Sequence, residues 1–501
     1  MKDLFLFVRP PRPIWPFNSS ASAFWPPLAF ASMAAMLRQE SRELSVEILD
    51  APILEMGWRS LEAEIFRRRP AFVGIGEEAV SCVEGLRLAR IAKSCGARVV
   101  AGGCFFGHVA QEVLSTGLVD IVVHGEGELT LVEVVAVLQD GSFKALRGVT
   151  GISLLDGEEF VTTAPRPLIA SLDNLPMPAY DLLAMDRYGA QSVNHPRLAA
   201  IELGRGCFGS CGFCVLWRQM GRWSGGRLVP TLRVKSPERL LEEIRVLVHR
   251  HERRYLGWVD PCFNADPKTP GQLADLLLKE NLRIGQSAWI RTDALVRDAH
   301  SGALDSCVRA GLNEVYLGIE RPDEASLSAL GKTSELEHAR QGLKILRSRF
   351  PEVLAIGSFI YGLPGDTGAT IRAIHRLGFE LDLDQCFFIP LTPLPGTPGW
   401  RPELWDASGA IFRSFSFLPA SNPGGRFAAL ERALALSVLF NWPWIRLQAG
   451  LRRLFGGDVR KRRIQRRLQL RAARFIFHRV RALLLGENQQ MGLVFPAWYE
   501  G

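Results

Sequence analysis

The sequence predicts an α/β protein with a doubly wound parallel sheet first, a partial β/α barrel second and a helical region at the C-terminus. Three observations lead there. Short Val/Ile/Leu-rich segments alternate with helical stretches up to about residue 150, a second alternating series begins near residue 196, and the strand pattern stops after residue 400. A chain of 501 residues and 55.6 kDa calls for two to four domains. With 47% hydrophobic and 22% charged residues, it is neither a disordered chain nor a disulfide-stapled scaffold.

In the first unit, residues 1–150, the expected strands are Leu4–Val8, Ser45–Leu49, Phe72–Ile75, Arg98–Ala101 and Ile121–Val123, with helices such as Ser60–Arg68 and Val83–Cys95 between them. Their carboxyl ends carry glycines: Gly74-Ile-Gly76, Gly102-Gly103 and Gly125-Glu126-Gly127-Glu128. Doubly wound sheets bind ligands at that edge, so three such loops suggest one large planar or phosphate-bearing ligand, with tight turns as the plain alternative. Residues 151–195 are expected to be a linker with a hairpin, in which Asp156-Gly157 turns between Gly151–Leu155 and Glu158–Val161.

The second unit, 196–400, should hold strands Ala199–Leu203, Tyr255–Val259, Gly285–Trp289, Glu314–Ile319, Ala355–Tyr361 and Gln385–Pro390. Helices are expected at Pro237–His249, Gly271–Glu280, Ser301–Ala310, Ser334–Arg347 and Thr367–Leu377. Six strands alternating with helices fit an open barrel whose site lies at the strand carboxyl ends. Residues 401–501 read as helical and basic.

The net charge of +8 is local. Arg446 to Arg481 holds thirteen Lys/Arg against Asp458, a net of +12, which leaves −4 for the rest. The N-terminus has only five consecutive apolar residues before Arg9 and reads as a strand, not a signal peptide. No uncharged apolar run reaches about 18 residues, so the expectation is a cytoplasmic enzyme.

Three of the nine cysteines crowd into Cys207-Phe-Gly-Ser-Cys211-Gly-Phe213-Cys214, directly after the first strand of the second unit. Thiolates are soft ligands suited to zinc or iron–sulfur clusters. No His or Cys lies between Cys214 and His249, so a zinc site lacks an obvious fourth ligand. A [4Fe–4S] cluster with one iron left open for an exogenous ligand suits the trio. Cys82, Cys95 and Cys104 have no ligand spacing and read as small buried hydrophobes.

This C-x3-C-x2-C loop, with Phe213 at the aromatic position, resembles the radical S-adenosylmethionine superfamily. Further landmarks follow in order: Val259-Asp260-Pro-Cys262-Phe263, Arg291-Thr-Asp293, Gly318-Ile-Glu320, Gly357–Gly365 and Leu391–Pro398. Upstream, Gly102-Gly103 and His124-Gly-Glu-Gly-Glu128 are similar to the Rossmann-like cobalamin-binding domain of one branch, which includes anaerobic Mg-protoporphyrin ester cyclases and hopanoid methylases.

The resemblance implies three cofactors: a [4Fe–4S] cluster on Cys207, Cys211 and Cys214, S-adenosylmethionine, and cobalamin. It further implies Glu320 on the ribose, Gly357 and Gly362 along the adenosyl group, and Gly74, Gly102, Gly103, Gly125, Glu126 and Gly127 around the corrin. His108 and His124 lie in the corrin loops. Where histidine-ligating relatives carry Asp-x-His-x-x-Gly, this chain reads Asp50-Ala-Pro52-Ile-Leu-Glu-Met-Gly57, so no histidine is expected on cobalt.

The implied chemistry is reductive cleavage to a 5′-deoxyadenosyl radical that methylates, cyclises or oxidises an unactivated carbon. A hydrophobic intermediate such as a lipid, hopanoid or tetrapyrrole is the expected substrate, and ferredoxin or flavodoxin the reductant. Ala433–Ile445 is thirteen largely apolar residues followed by arginines. Segment 433–481 could therefore lie on a membrane surface, or pack as a helical subdomain. Nucleic acid is not an expected partner. Two alternatives remain: a radical enzyme without cobalamin, and an iron–sulfur RNA- or protein-binding factor.

Overall fold

The computed structural model describes residues 3–12, 25–76, 81–190, 192, 194–400, 470 and 498–501. Its first sheet contains β1 (Asp3–Arg9), β2 (Leu44–Asp50), β3 (Phe72–Gly76), β4 (Arg98–Gly102), β5 (Ile121–Val123), β6 (Ile152–Asp156) and β7 (Glu159–Thr162). The order is β2-β1-β3-β4-β5-β6-β7, with β1 to β5 parallel. Strands this apolar need cover on both faces. Phe5, Phe7 and Phe72 pack under helices Leu28–Glu40 and Gly127–Gln139, while Leu6, Val8 and Val73 pack under Trp58–Arg68 and Cys82–Ser94.

The hairpin expected in the linker instead completes this sheet. β6 pairs antiparallel with β5, Ile121 opposite Leu154, and so covers an otherwise open edge. The remaining linker is irregular but anchored. Tyr188 donates to the Asp50 carboxylate at 2.5 Å, and buried Tyr180 donates to Glu243 at 2.5 Å.

The second unit opens with β8 (Leu198–Ile201). Short ribbons follow, β9 (Gly204–Gly206) with β12 (Leu232–Val234) and β10 (Arg222–Ser224) with β11 (Arg227–Val229). The sequence pattern had not indicated these ribbons, each only three residues a strand. Then come β13 (Tyr255–Trp258), β14 (Gly285–Ile290), β15 (Leu312–Glu320), β16 (Leu354–Tyr361) and β17 (Gln385–Pro390). The six parallel strands run β8-β13-β14-β15-β16-β17, and β17 does not close onto β8, which makes the barrel partial.

Alternate residues divide the barrel. Leu256, Trp258, Ala288, Val315, Leu317 and Phe359 are buried against the helices, each large side chain contributing about 1.5–3 kcal/mol. Val259 and Trp289 face the lumen at 41% and 38% exposure. Helix Thr292–Ser301 is an element the sequence analysis did not foresee; Gly302, at φ +81°, separates it from Ala303–Ala310.

Gly257 carries a consequence of this layout. A Cβ there would meet the Trp25 ring at 2.3 Å, because that indole from the first unit lies against β13. Gly257→Val should expel Trp25 and cost about 1–3 kcal/mol, read as a lower urea midpoint.

The basic C-terminal region, including segment 433–481, lies outside the described residues except at 470. No described helix is long and apolar enough to cross a membrane.

Candidate functional site

The cysteine loop is held at both ends and in the middle. Asp260, just past β13, accepts backbone N–H groups of Leu203 and Gly204 at 3.0 and 2.7 Å, fixing the turn out of β8. Burial pushes this carboxyl up to about 7, against the pull of those two donors. Cys207 N–H donates to Thr231 O at 3.0 Å, Gly212 N–H to Leu330 O at 2.9 Å, and the Trp217 indole to Cys211 O at 2.9 Å.

All three thiols border one cavity of about 390 Å³ at the carboxyl end of the barrel, together with Phe213, Arg291, Glu320 and Lys332. A hydrogen bond from Cys262, helped by the Gly209 N–H at 3.3 Å, holds the Cys207 thiol below its ordinary value against burial. Burial pushes Cys211 and Cys214 up; Lys332 opposes this at Cys211, and the backbone N–H groups of Trp217 and Leu216 oppose it at Cys214. Among the described residues, no three His, Cys, Asp or Glu side chains converge as on a single ion. Ligands to three separate irons need not converge.

Glu320 ends β15 in a left-handed conformation, φ +70°, where the pairing with β16 shifts register. A non-glycine residue there is strained. The twist turns its carboxylate into the cavity beside Lys332 Nζ at 3.4 Å. Burial raises its pKa, and Lys332 offsets part of that rise. Arg321 pairs elsewhere, with Asp366 at 2.5 Å. Gly357 and Gly362 do not border the cavity. A Cβ on Gly357 would meet Leu383 at 2.5 Å, and Gly362, at φ +88°, donates its N–H to Asp366. Ser358 and Ile360 take the lining positions.

A second cavity, about 320 Å³, lies between the two units. Gly74, Gly102, Gly103, Gly125, Glu126 and Gly127 all border it at the carboxyl ends of β3, β4 and β5; Glu202, Arg205, Gln219, Met220 and Val259 border it from the barrel. Gly125 sits at φ +67°, and a Cβ on Gly127 would meet Met33 Sδ at 2.7 Å. No histidine borders this cavity among the described residues. His108 packs flat on Gly396, His124 bonds Ser153 at 2.7 Å, and Pro52 is buried in the turn of helix Ala51–Leu54.

Glu126 borders the cavity, but its carboxylate is committed: it accepts from Arg205 and Arg233, each at 2.9 Å, and from Ile169 N–H at 2.8 Å. Arg205 also reaches Glu128 at 2.6 Å and Glu202 at 3.0 Å. Burial lowers the Arg205 pKa less than Glu202 and Glu128 raise it, so it is held above its ordinary value. This buried network joins the two units under the glycine loops. Sequence reasoning did not single out Arg205 or Arg233; Gly204-Arg205-Gly206, immediately before Cys207, was the available signal.

Among the described residues, the two cavities share one, Val259.

Two family models match the chain: the radical SAM superfamily over residues 201–378 and the B12 binding domain over residues 14–135. An uncharacterized methyltransferase of Pyrococcus horikoshii is 30% identical over 380 residues, 75% of this chain and 78% of that one. The anaerobic magnesium-protoporphyrin IX monomethyl ester cyclase of Rubrivivax gelatinosus is 25% identical over 421 residues, covering 82% and 73%. Among solved structures, the radical S-adenosylmethionine methyltransferase TsrM from Kitasatospora setae, with cobalamin and a [4Fe–4S] cluster bound, shares the fold. Its TM-score is 0.67 at 19% identity, over 95% of this chain and 100% of that one. The order of the two matched domains and the similarity to the Pyrococcus protein over most of both chains make this protein a member of the cobalamin-binding radical S-adenosylmethionine enzymes.

Proposed function

We propose that the protein methylates an unactivated carbon of a hydrophobic small molecule. The observation that carries this reading is Val259. It borders both the cysteine cavity and the glycine-loop cavity, so a substrate carbon beside it lies within reach of both. Apolar side chains, among them Trp217, Ile360, Ile389 and Leu391, dominate the wall of the cysteine cavity and exclude water from a reactive centre.

The residues fit the family's cofactors. Three thiols beside Arg291 and Lys332 suit an anionic cluster, and the strained Glu320 suits a pair of ribose hydroxyls. When bound, the cluster and S-adenosylmethionine supply a hydrogen-abstracting radical, and cobalamin supplies the methyl group. The chain's own work is positional. Cys207, Cys211 and Cys214 hold the cluster, Asp260 fixes the loop that carries them, and the network around Arg205 sets the corrin loops against the barrel. A one-electron reductant of the ferredoxin or flavodoxin type completes the system.

The name of the Pyrococcus relative favours methyl transfer; that of the Rubrivivax relative favours cyclisation. Anaerobic turnover with S-adenosylmethionine bearing a trideuterated methyl group separates them. Methyl transfer should give a product that carries the label, with 5′-deoxyadenosine and S-adenosylhomocysteine formed together. Product with 5′-deoxyadenosine and no S-adenosylhomocysteine would establish cyclisation or oxidation instead.

A further inference from the structure

Three aromatic rings lie across the lumen face of the barrel. Trp289 on β14 stacks on Tyr316 of β15 with centroids 5.0 Å apart and planes 26° apart; Tyr316 stacks on Phe387 of β17 at 6.2 Å and 11°. Tyr316 is tethered in turn, donating to the Glu314 carboxylate at 2.5 Å. The stack therefore holds the Trp289 indole at a fixed tilt.

Trp289 is the end of this row. One face is taken by Tyr316; the other carries no ring contact among the described residues. Its chain neighbours Ala288 and Ile290 are buried, yet Trp289 is 38% exposed. The free face looks toward β13. Gly257 pairs with Ser287, and extending that parallel register by two residues brings Val259 beside Trp289. Val259 is itself 41% exposed and is the residue the two cavities share. Below it, the Trp25 ring fills the space that a side chain on Gly257 would take. The result is a slot with an indole on one side, a short aliphatic side chain on the other and a second indole beneath.

We infer that this slot is the substrate subsite, and that it takes a flat, rigid, apolar ring stacked on the free face of Trp289, with the saturated carbon that reacts, a substituent of that ring, at Val259. The inference rests on the reading that the cysteine cavity is the reaction centre, and narrows the substrate from hydrophobic to planar. A flexible acyl chain gains nothing from a fixed ring face and loses rotamer freedom in the slot; a fused ring system gains stacking at little entropic cost.

The adenine of S-adenosylmethionine is the other flat group in reach, so the test separates the two. Anaerobically reconstituted holoenzyme is titrated with 2-naphthol as the planar probe and 1-decanol as the flexible one, followed by saturation-transfer NMR. The expected result is 2-naphthol binding that weakens roughly tenfold in Trp289→Ala and less than about threefold in Trp289→Phe. Decanol should bind more weakly and respond to neither change. Iron and corrinoid content should be equal in all three proteins, which shows that the variants are folded and loaded. The inference is overturned if wild type does not bind 2-naphthol, if Trp289→Ala binds it as well as Trp289→Phe, or if Trp289→Ala loses S-adenosylmethionine binding in step. Absence of S-adenosylmethionine cleavage in wild type would instead remove the parent reading and leave the probe comparison to be judged alone.

Discussion

Replacing Cys207 by Ala is expected to abolish iron incorporation on anaerobic reconstitution, and with it the reductive cleavage of S-adenosylmethionine, to below about a thousandth of the wild-type rate. The loop has no spare ligand. Cys207, Cys211 and Cys214 are the cysteines that border the cavity, and the nearest other thiol, Cys262, is 3% exposed and absent from its lining, touching the site only through its hydrogen bond to Cys207. Cys262→Ala should therefore keep its iron, which makes it the control for damage at the same spot. Backbone contacts at Thr231, Leu330 and Asp260 hold the loop in place without any of the thiols. The Cys207→Ala protein should consequently stay folded and still retain corrinoid in the other cavity. Iron counting and product analysis check the first expectation, and corrinoid absorbance after gel filtration checks the second. Full iron content in Cys207→Ala would remove that residue from the ligand set.

Much of this organisation was legible in the residues. Parallel strands covered on both faces are continuous apolar runs, so Phe5–Val8 and Val99–Ala101 could be read as strands directly. The thiol spacing and the glycine loops are local in sequence, and each set borders a single cavity. What was hidden depends on distance or parity. Arg205 meets Glu126 and Glu128 across 79 and 77 residues, and no local pattern announces such a pairing. Glu126 was read through its place in a glycine motif, but its carboxylate is saturated by cations of the second unit. Gly357 belongs to a recognisable motif, yet neighbouring residues on a strand face opposite ways, and it is Ser358 that borders the cavity. Trp25 precedes a helix of the first unit, and only the backbone of Gly257 reveals that it reaches the barrel.

Arg205→Met should cost about 3–5 kcal/mol, because it strands buried carboxylates rather than merely deleting a contact. Glu126, Glu128 and Glu202 all lean on this one guanidinium, and their side chains are 10%, 5% and 13% exposed. The cost should depend on pH in a defined direction. In the wild type, burial would raise the Glu202 pKa, but Arg205 and Lys235 outweigh it and hold the group below its ordinary 4.5. Its contribution is thus complete above about pH 4.5 and drains away as pH falls through the lower folded value. With Arg205 removed, Lys235 is left 3.8 Å away and burial prevails, so the folded value should move above the unfolded one. The variant's native state then binds more protons than its unfolded state at mildly acidic pH, and its stability falls as pH rises. Urea unfolding at pH 7.5 should accordingly show a larger gap between the two proteins than at pH 5.5; an equal or smaller gap would mean that the carboxylates find other partners. Glu126→Gln should do less harm, since Arg233 keeps its bond to Ile169 O at 2.7 Å. Because the network lies under the glycine loops and not at the thiols, Arg205→Met should also lose corrinoid on gel filtration while keeping its iron.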